Sequence, residues 1–259
     1  MGMLLECSGL SKSYGDTKAL DNVSFKLSEG LSFILGPNGS GKTTFIKILS
    51  GITYPDAGEI KVLGKDYGDL TKGEISFSFE KTNLSPSIKV GEYLSAIGEW
   101  RGEDNSREVM EMFELRNVES KRFSELSQGY KRRFLVASAF VGSPKVVFLD
   151  EPFSNVDIVA KKRMMEVFME LKRERNIVIV SHVFTNIEEI DSLVVLYNGK
   201  VLRNLHGKEL QDIGGFKAVF SDGSVVVNDL DELVERIRNG QRPVSIKPVT
   251  LEDWLMDFF

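Results

Sequence analysis

The chain has 259 residues and carries 33 Lys and Arg against 38 Asp and Glu, a net charge of −5, so it offers no large basic field to a nucleic-acid backbone. Its 42 % hydrophobic and 27 % charged residues exclude a disordered chain, its one cysteine (Cys7) excludes an intrachain disulfide or a Cys-rich zinc site, and its two histidines (His182 and His206) exclude a His-rich metal centre. Met1 to Tyr14 lacks the pattern of a secretion leader, and no apolar run approaches the roughly 20 residues of a bilayer span, which predicts a soluble, cytoplasmic chain.

Short β-like runs open the sequence at Leu4–Leu10, Ala19–Leu27 and Leu31–Leu35. A Gly-rich turn follows at Gly36–Gly41, then a helix from Lys42 to about Ser50. Glu59–Leu63 and Ile75–Phe79 read as strands. From there the periodicity turns helical through Val90–Trp100, Asn105–Leu115 and Gln128–Val141, an insertion over about 88–142, with Gly102–Asn105 as a loop. Val146–Leu149 is a compact apolar run of the kind buried in a parallel sheet. A long amphipathic helix, Asp157–Arg175, precedes the strand Ile177–Val180. Alternating strands and helices predict an α/β core over 1–205. Residues 206–259 read as a small α+β appendage: a hairpin of Phe216–Phe220 and Val225–Val227 about Ser221-Asp-Gly-Ser224, a helix Leu230–Arg238, a strand Val244–Lys247, and a short helix from Leu251 with Thr250 as its cap and Asp253 in its first turn. The basic runs Lys131-Arg132-Arg133 and Lys161-Lys162-Arg163 are interspersed with apolar residues on helices and read as solvated faces. The apolar stripe Ile88, Val90, Tyr93, Leu94 and Ile97 reads as helix core rather than as a docking surface.

Gly36-Pro37-Asn38-Gly39-Ser40-Gly41-Lys42-Thr43 fits the spacing of a phosphate-binding loop, G-x-x-x-x-G-K-[ST]. The glycines let successive N–H groups face one concavity, and the following helix aims its own N–H groups there. Lys42 adds a positive charge for β and γ phosphates and Thr43 a hydroxyl for magnesium. Asp150 and Glu151 end the apolar run at Val146–Leu149, at the carboxyl edge of the sheet where α/β proteins bind ligands. There Asp150 can hold magnesium through water and Glu151 can orient and deprotonate an attacking water. His182 lies just past Ile177–Val180, at the same edge, within reach of a γ phosphate.

These pieces in this order resemble the nucleotide-binding subunit of ABC transporters. The decisive stretch is Leu126-Ser-Gln-Gly-Tyr-Lys-Arg-Arg-Phe134, similar to the ABC signature LSGGQ. It is followed by Val147-Phe-Leu-Asp-Glu-Pro152, by Phe153-Ser-Asn-Val-Asp157, which resembles the D-loop, and by Ser181-His182, which resembles the switch histidine. The resemblance implies a P-loop ABC ATPase fold with a mixed sheet, an antiparallel β subdomain and a helical insertion. It implies ATP and magnesium as ligands. Tyr14 matches the aromatic that stacks on adenine, packing within its strand being the other reading. Gly36 to Thr44, Thr44 included, match the phosphate cradle, Thr43 and Asp150 the magnesium ligands, and Glu151, His182 and Lys42 the catalytic groups. Ser127 and Gly129 match residues that close over the ATP of a second subunit, with Asp157 at the same interface. A homodimer or a paired ABC ATPase subunit, and a separate transmembrane permease, are the partners implied. The chain is then expected to sit peripherally on the cytoplasmic face of the membrane.

Two departures from the family pattern stand out. Glu80 replaces the Q-loop glutamine, either reaching magnesium through water or standing as an exposed strand-end carboxylate; Gln128 and Tyr130 replace the first glycine and the last glutamine of the signature. Leu84–Leu94 and Thr250–Asp253 look like the branch that exports drugs and polysaccharides. Two other readings stay open. One is a non-transport ABC ATPase, opposed by the lack of sustained heptads between Lys42 and Ser127. The other is a slowly hydrolysing, ATP-dependent dimerisation switch.

Overall fold

Strands β1 (Met3–Tyr14) and β2 (Thr17–Ser28) form a long antiparallel hairpin. Period-two alternation buries Leu20, Val23, Phe25 and Leu27 of β2, and the extra residue between Leu20 and Val23 is taken up by a bulge where Asn22 adopts φ 54°. β3 (Leu31–Leu35) is buried on both faces and leads through the Gly-rich turn into helix α1 (Lys42–Leu49). β4 (Ala57–Val62) pairs with β1, and β5 (Lys65–Asp66) with β4, giving a four-stranded antiparallel sheet in the order β2-β1-β4-β5.

A computed structural model supplies these coordinates and describes residues 2–69, 73–182, 190–211, 216–223, 225–227 and 230–248. The chain divides into two units, residues 1–183 with 189–205, and residues 184–188 with 206–259.

The first unit continues with β6 (Ile75–Ser78), helices α2 (Val90–Arg101), α3 (Ser106–Met112) and α4 (Gln128–Ser138), then β7 (Val146–Asp150), α5 (Ile158–Leu171), β8 (Asn176–Ser181), β9 (Ser192–Tyr197) and β10 (Lys200–His206). Its second sheet has the order β10-β9-β3-β8-β7-β6, and β9, β3, β8, β7 and β6 are mutually parallel. The three helices α2 to α4 are therefore an insertion between two neighbouring parallel strands, β6 and β7. One face of the parallel sheet (Ile34, Phe148, Val178, Val180, Val194) packs with Phe45, Ile46 and Leu49 of α1 against the antiparallel sheet. Away from that layer, Phe168 of α5 has ring centroids of Phe140, Phe153 and Phe113 at 5.8, 5.9 and 6.3 Å. Burial of each such ring contributes about 1.5–3 kcal/mol, so the aromatic cluster fixes α5 and the end of the insertion together.

Three predicted helices are shorter than their periodicity. The helix predicted over Gln128–Val141 stops at Ser138, because Ala139 and Phe140 close tighter three-residue turns before Gly142 adopts φ 77°. The one predicted to Leu115 stops at Met112, before Glu114 adopts φ 53°. The one predicted over Asp157–Arg175 runs from Ile158 to Leu171, and Asp157 is its cap. β9 and β10 had no counterpart in the predicted elements; they are joined by Asn198-Gly199, both with positive φ, the usual chemistry of a two-residue hairpin turn.

The second unit contains α6 (Lys208–Gln211), strands β11 (Phe216–Phe220) and β12 (Val225–Val227), helix α7 (Leu230–Arg238) and β13 (Pro243–Pro248), with the antiparallel order β12-β11-β13. Ala218, Phe220 and Leu233 form its small core, and the Arg236 guanidinium covers the Phe220 ring at 5.2 Å. The predicted hairpin is present, with Gly223 at φ 83° in its turn; Ser224 and the predicted helix from Leu251, with Thr250 and Asp253, lie outside the described residues. No helix among the described residues is long and apolar enough to cross a membrane.

Candidate functional site: a phosphate loop at the carboxyl edge of the parallel sheet

The phosphate loop leaves β3 at its carboxyl end. Gly36 N–H donates to the Ser181 carbonyl at 3.3 Å, which joins the loop to the end of β8. Side chains are excluded here: a Cβ on Gly36 would lie 2.2 Å from the Leu196 carbonyl oxygen. Gly41, at φ 105°, would bring a Cβ to 2.5 Å from the Ala19 carbonyl oxygen of β2. Gly39 is also left-handed, at φ 84°. Asn38 and Gly39 are exposed, Pro37 is half-buried and Ser40 is buried. Among the described residues Ser40 Oγ, buried within the loop, has no hydrogen-bond partner, so the loop holds an orphaned polar atom. Thr43 is exposed and Thr44 half-buried on the first turn of α1, whose N-terminus faces the loop. A set of donors of this kind suits an anion.

Lys42 curls back over its own loop. Its Nζ donates to the carbonyls of Gly36 at 2.6 Å and Pro37 at 3.0 Å. Burial holds the ammonium below the usual lysine range, while the charges of Glu151, Asp150 and Glu80 oppose that shift. The loop lysine and these three carboxylates are thus gathered at one place.

β7 delivers the acidic pair. Asp150 is 5 % exposed; burial, then the charge of Glu151, pushes its carboxyl up to about 6, against the pull of the Glu80 backbone N–H and of Arg132. Glu151 turns out of the strand at φ 49°, a left-handed conformation that a non-glycine residue holds only when its surroundings impose it. Its N–H donates to the Val180 carbonyl at 2.8 Å. Its carboxylate accepts from Ser181 Oγ at 2.7 Å and from the His182 N–H at 2.8 Å, and lies 2.8 Å from His182 Nδ1. His182 is therefore beside the acidic pair, bonded to Glu151.

Glu80 follows β6, and its side chain is exposed. Tyr14 ends β1, half exposed, with the Lys12 ammonium 5.7 Å from its ring centroid. Lys12 pairs with Leu20, the neighbour of Ala19 against which Gly41 packs, so Tyr14 stands two residues from the strand segment that abuts the loop. Ser127 caps α4, its Oγ accepting from the Tyr130 N–H at 3.3 Å, and Gly129 faces the Asn155 carbonyl. Among the described residues neither joins the phosphate loop, and Ser127 is exposed. Tyr130 is held by Asn117 Nδ2 at 2.8 Å and by the Arg133 guanidinium 5.0 Å over its ring. Asp157 accepts from the Ala160 N–H at 2.9 Å, a bond that holds its carboxyl below the usual range.

One basic residue departs from its predicted surface role. Arg132 is 5 % exposed and donates to the carbonyls of Phe79 and Asp150, because it falls on the inward stripe of α4 four residues before the buried Val136. That spacing was the available signal. Arg133 is partly buried in an ion pair with Glu114 at 3.1 Å, while Lys162 and Arg163 are exposed as predicted. Of the apolar stripe, Val90 and Leu94 are in the core.

A Gly-rich loop between strand and helix, a buried acidic pair at the end of a strand two places along the same sheet and a capped signature helix together define a P-loop nucleoside-triphosphatase of the ABC type. The family described as ABC transporter matches residues 20–154. The chain is 34 % identical over 211 residues to the Nod factor export ATP-binding protein I of Rhizobium sp. (strain N33), covering 76 % of this chain and 69 % of that protein. It is 31 % identical over 224 residues to the probable sulfate/thiosulfate import ATP-binding protein CysA of Chlorella vulgaris, covering 82 % and 94 %. The solved ADP conformation of MJ1267, an ATP-binding cassette of an ABC transporter, matches with a TM-score of 0.70 and 25 % identity, over 82 % of this chain and 95 % of that one. The chain belongs to the ATP-binding subunits of the ABC transporter family, and it is an ATP-binding and ATP-hydrolysing protein of that family.

Proposed function

We propose that the chain powers a membrane transporter by closing with a second ATP-binding subunit around ATP and magnesium. Residues 1–205 serve as the ATP-binding domain, with a helical subdomain over about 88–142 and the appendage 206–259 beyond it. In this reading Tyr14 stacks on adenine, Gly36 to Thr44 cradle the phosphates, and Lys42 exchanges its two loop carbonyls for phosphate oxygens. Magnesium, when bound with ATP, draws charge from the phosphates. Thr43 and Asp150 are the residues that hold it, with Glu80 beside them through water. Glu151 takes a proton from the attacking water, and His182, bonded to Glu151, turns its ring toward the γ phosphate. The observation that carries this reading is the convergence of Lys42, Asp150, Glu151 and His182 on one sheet edge, while Ser127 stands exposed on a separate helix terminus. An exposed signature needs another subunit's nucleotide to act on.

A separate permease supplies the membrane span and places the chain on the cytoplasmic face. Export is the narrower reading, supported by the sequence of Leu84–Leu94 and Thr250–Asp253. The test is the solution mass of Glu151→Gln, with and without ATP and magnesium, beside the turnover of the unaltered chain. An ATP-dependent change from one chain to two supports the closed pair. ATP binding without any change of mass, both alone and with the membrane subunit present, overturns it.

A further inference from the structure

Among the described residues, Arg132 carries a buried charge whose hydrogen bonds both go to backbone carbonyls. Nη1 donates to the Phe79 carbonyl at 2.7 Å and Nη2 to the Asp150 carbonyl. Phe79 immediately precedes Glu80, and Asp150 immediately precedes Glu151, so one guanidinium on α4 forks across the ends of β6 and β7. Asp150, Glu80 and Glu151 all attract the guanidinium, whose own pKa burial lowers to about 10. Glu80 also repels Asp150. A carboxylate at this position is this chain's departure from the glutamine of the family pattern, and it adds a third negative group beside a buried acidic pair. Glu80 itself is exposed, but Asp150 and Glu151 are buried, and the fixed Arg132 guanidinium offsets the negative charge gathered around that pair.

We propose that Arg132 is a positioning residue that fixes the spacing of Glu80 and Asp150 and offsets the charge Glu80 brings, so that the two carboxylates present a set site to a hydrated divalent cation. The inference rests on reading Asp150 and Glu80 as the magnesium side of the site. The planar fork is essential to it: a lysine reaches one carbonyl but cannot brace two. α4 begins at the signature serine, so the same residue links that helix to both strand ends.

The test is a double-mutant cycle of Arg132→Gln and Glu80→Gln in the full chain. It has two readouts: the melting temperature without nucleotide, and the magnesium concentration that half-saturates binding of a fluorescent ATP analogue. Arg132→Gln is expected to lower the melting temperature and to raise the magnesium midpoint about tenfold. In the Glu80→Gln background the same change moves the midpoint within about twofold. An equal shift in both backgrounds overturns the proposal and leaves Arg132 a structural residue. Should Arg132→Gln not fold, Arg132→Lys carries the same cycle: its magnesium deficit shrinks with Glu80→Gln, and a deficit unchanged by Glu80→Gln overturns the proposal. If the unaltered chain binds the analogue without regard to magnesium, the magnesium reading fails instead. The melting temperatures then still report whether Arg132 and Glu80 are coupled.

Discussion

One carboxylate oxygen of Glu151 serves two groups of His182, accepting the backbone N–H at 2.8 Å and lying 2.8 Å from ring Nδ1. The other oxygen accepts from Ser181 Oγ. Glu151 is thus fixed by the end of β8 rather than by its own strand, which it leaves through a left-handed turn. An amide oxygen at this position keeps an acceptor for His182 but cannot take up a proton. Glu151→Gln is therefore expected to lower turnover by about 10²–10⁴ while nucleotide affinity stays unchanged. Steady-state hydrolysis and equilibrium binding, measured on the same preparation, check this; unaltered turnover would remove Glu151 from the role of base.

Asp150 gives a prediction with a definite sign. Its carboxyl is raised from 3.8 to about 6 in the folded chain, first by burial and then by Glu151. The folded state therefore binds more protons than the unfolded state between those values, and the stability of the nucleotide-free protein falls as pH rises from about 4 to 6, by on the order of 2–3 kcal/mol from this group. Asp150→Asn removes that penalty. The variant is expected to melt several degrees higher than the unaltered chain at pH 8, with the gain shrinking at pH 5, and to lose magnesium-dependent nucleotide binding. Melting curves at the two pH values, without nucleotide, test it. A variant that melts lower at pH 8 contradicts the assigned burial penalty.

Gly41→Ala meets two obstacles at once. The backbone is at φ 105°, and the new Cβ falls 2.5 Å from the Ala19 carbonyl oxygen, which belongs to a paired strand and cannot swing aside. The strained backbone alone costs about 1–3 kcal/mol. Denaturant unfolding is expected to show at least that loss, together with weakened phosphate binding. Gly39→Ala shares the positive φ but meets nothing within 4 Å, so it is the milder variant.

Phe168→Ala empties the centre of the aromatic cluster and removes the anchor of α5. A loss of about 3–5 kcal/mol is expected from unfolding measurements, with nucleotide affinity of the surviving folded protein little changed, since none of its ring partners belongs to the phosphate loop.

The phosphate loop is legible in sequence because its chemistry is local: the glycines, Lys42 and Thr43 are contiguous, and backbone curvature demands them. The strand cores are legible for a similar reason, since β3, β7 and β8 are buried on both faces and read as largely apolar runs, with Ser32 interrupting β3. Helix ends are less so. The stops after Ser138 and Met112 are set by left-handed backbone at Gly142 and Glu114, and nothing in a side-chain periodicity announces a left-handed glutamate. The hairpin of β9 and β10 carried its own signal in Asn198-Gly199, which hydrophobic runs alone do not weigh. Arg132 is the most instructive case. A basic triplet reads as solvent-facing, yet two backbone carbonyls at the ends of distant strands, β6 and β7, draw the middle member inward. Those carbonyls are invisible to any reading of side-chain types.

Lys42 adds a consequence for how ligands compete. Its ammonium is already satisfied by the Gly36 and Pro37 carbonyls, so an incoming phosphate must displace an internal contact rather than meet a bare charge. Affinity then measures a swap. A ligand whose phosphates do not extend to Nζ leaves the lysine where it is and gains only the loop amides, so chain length of the polyphosphate, more than its total charge, becomes the quantity the loop discriminates.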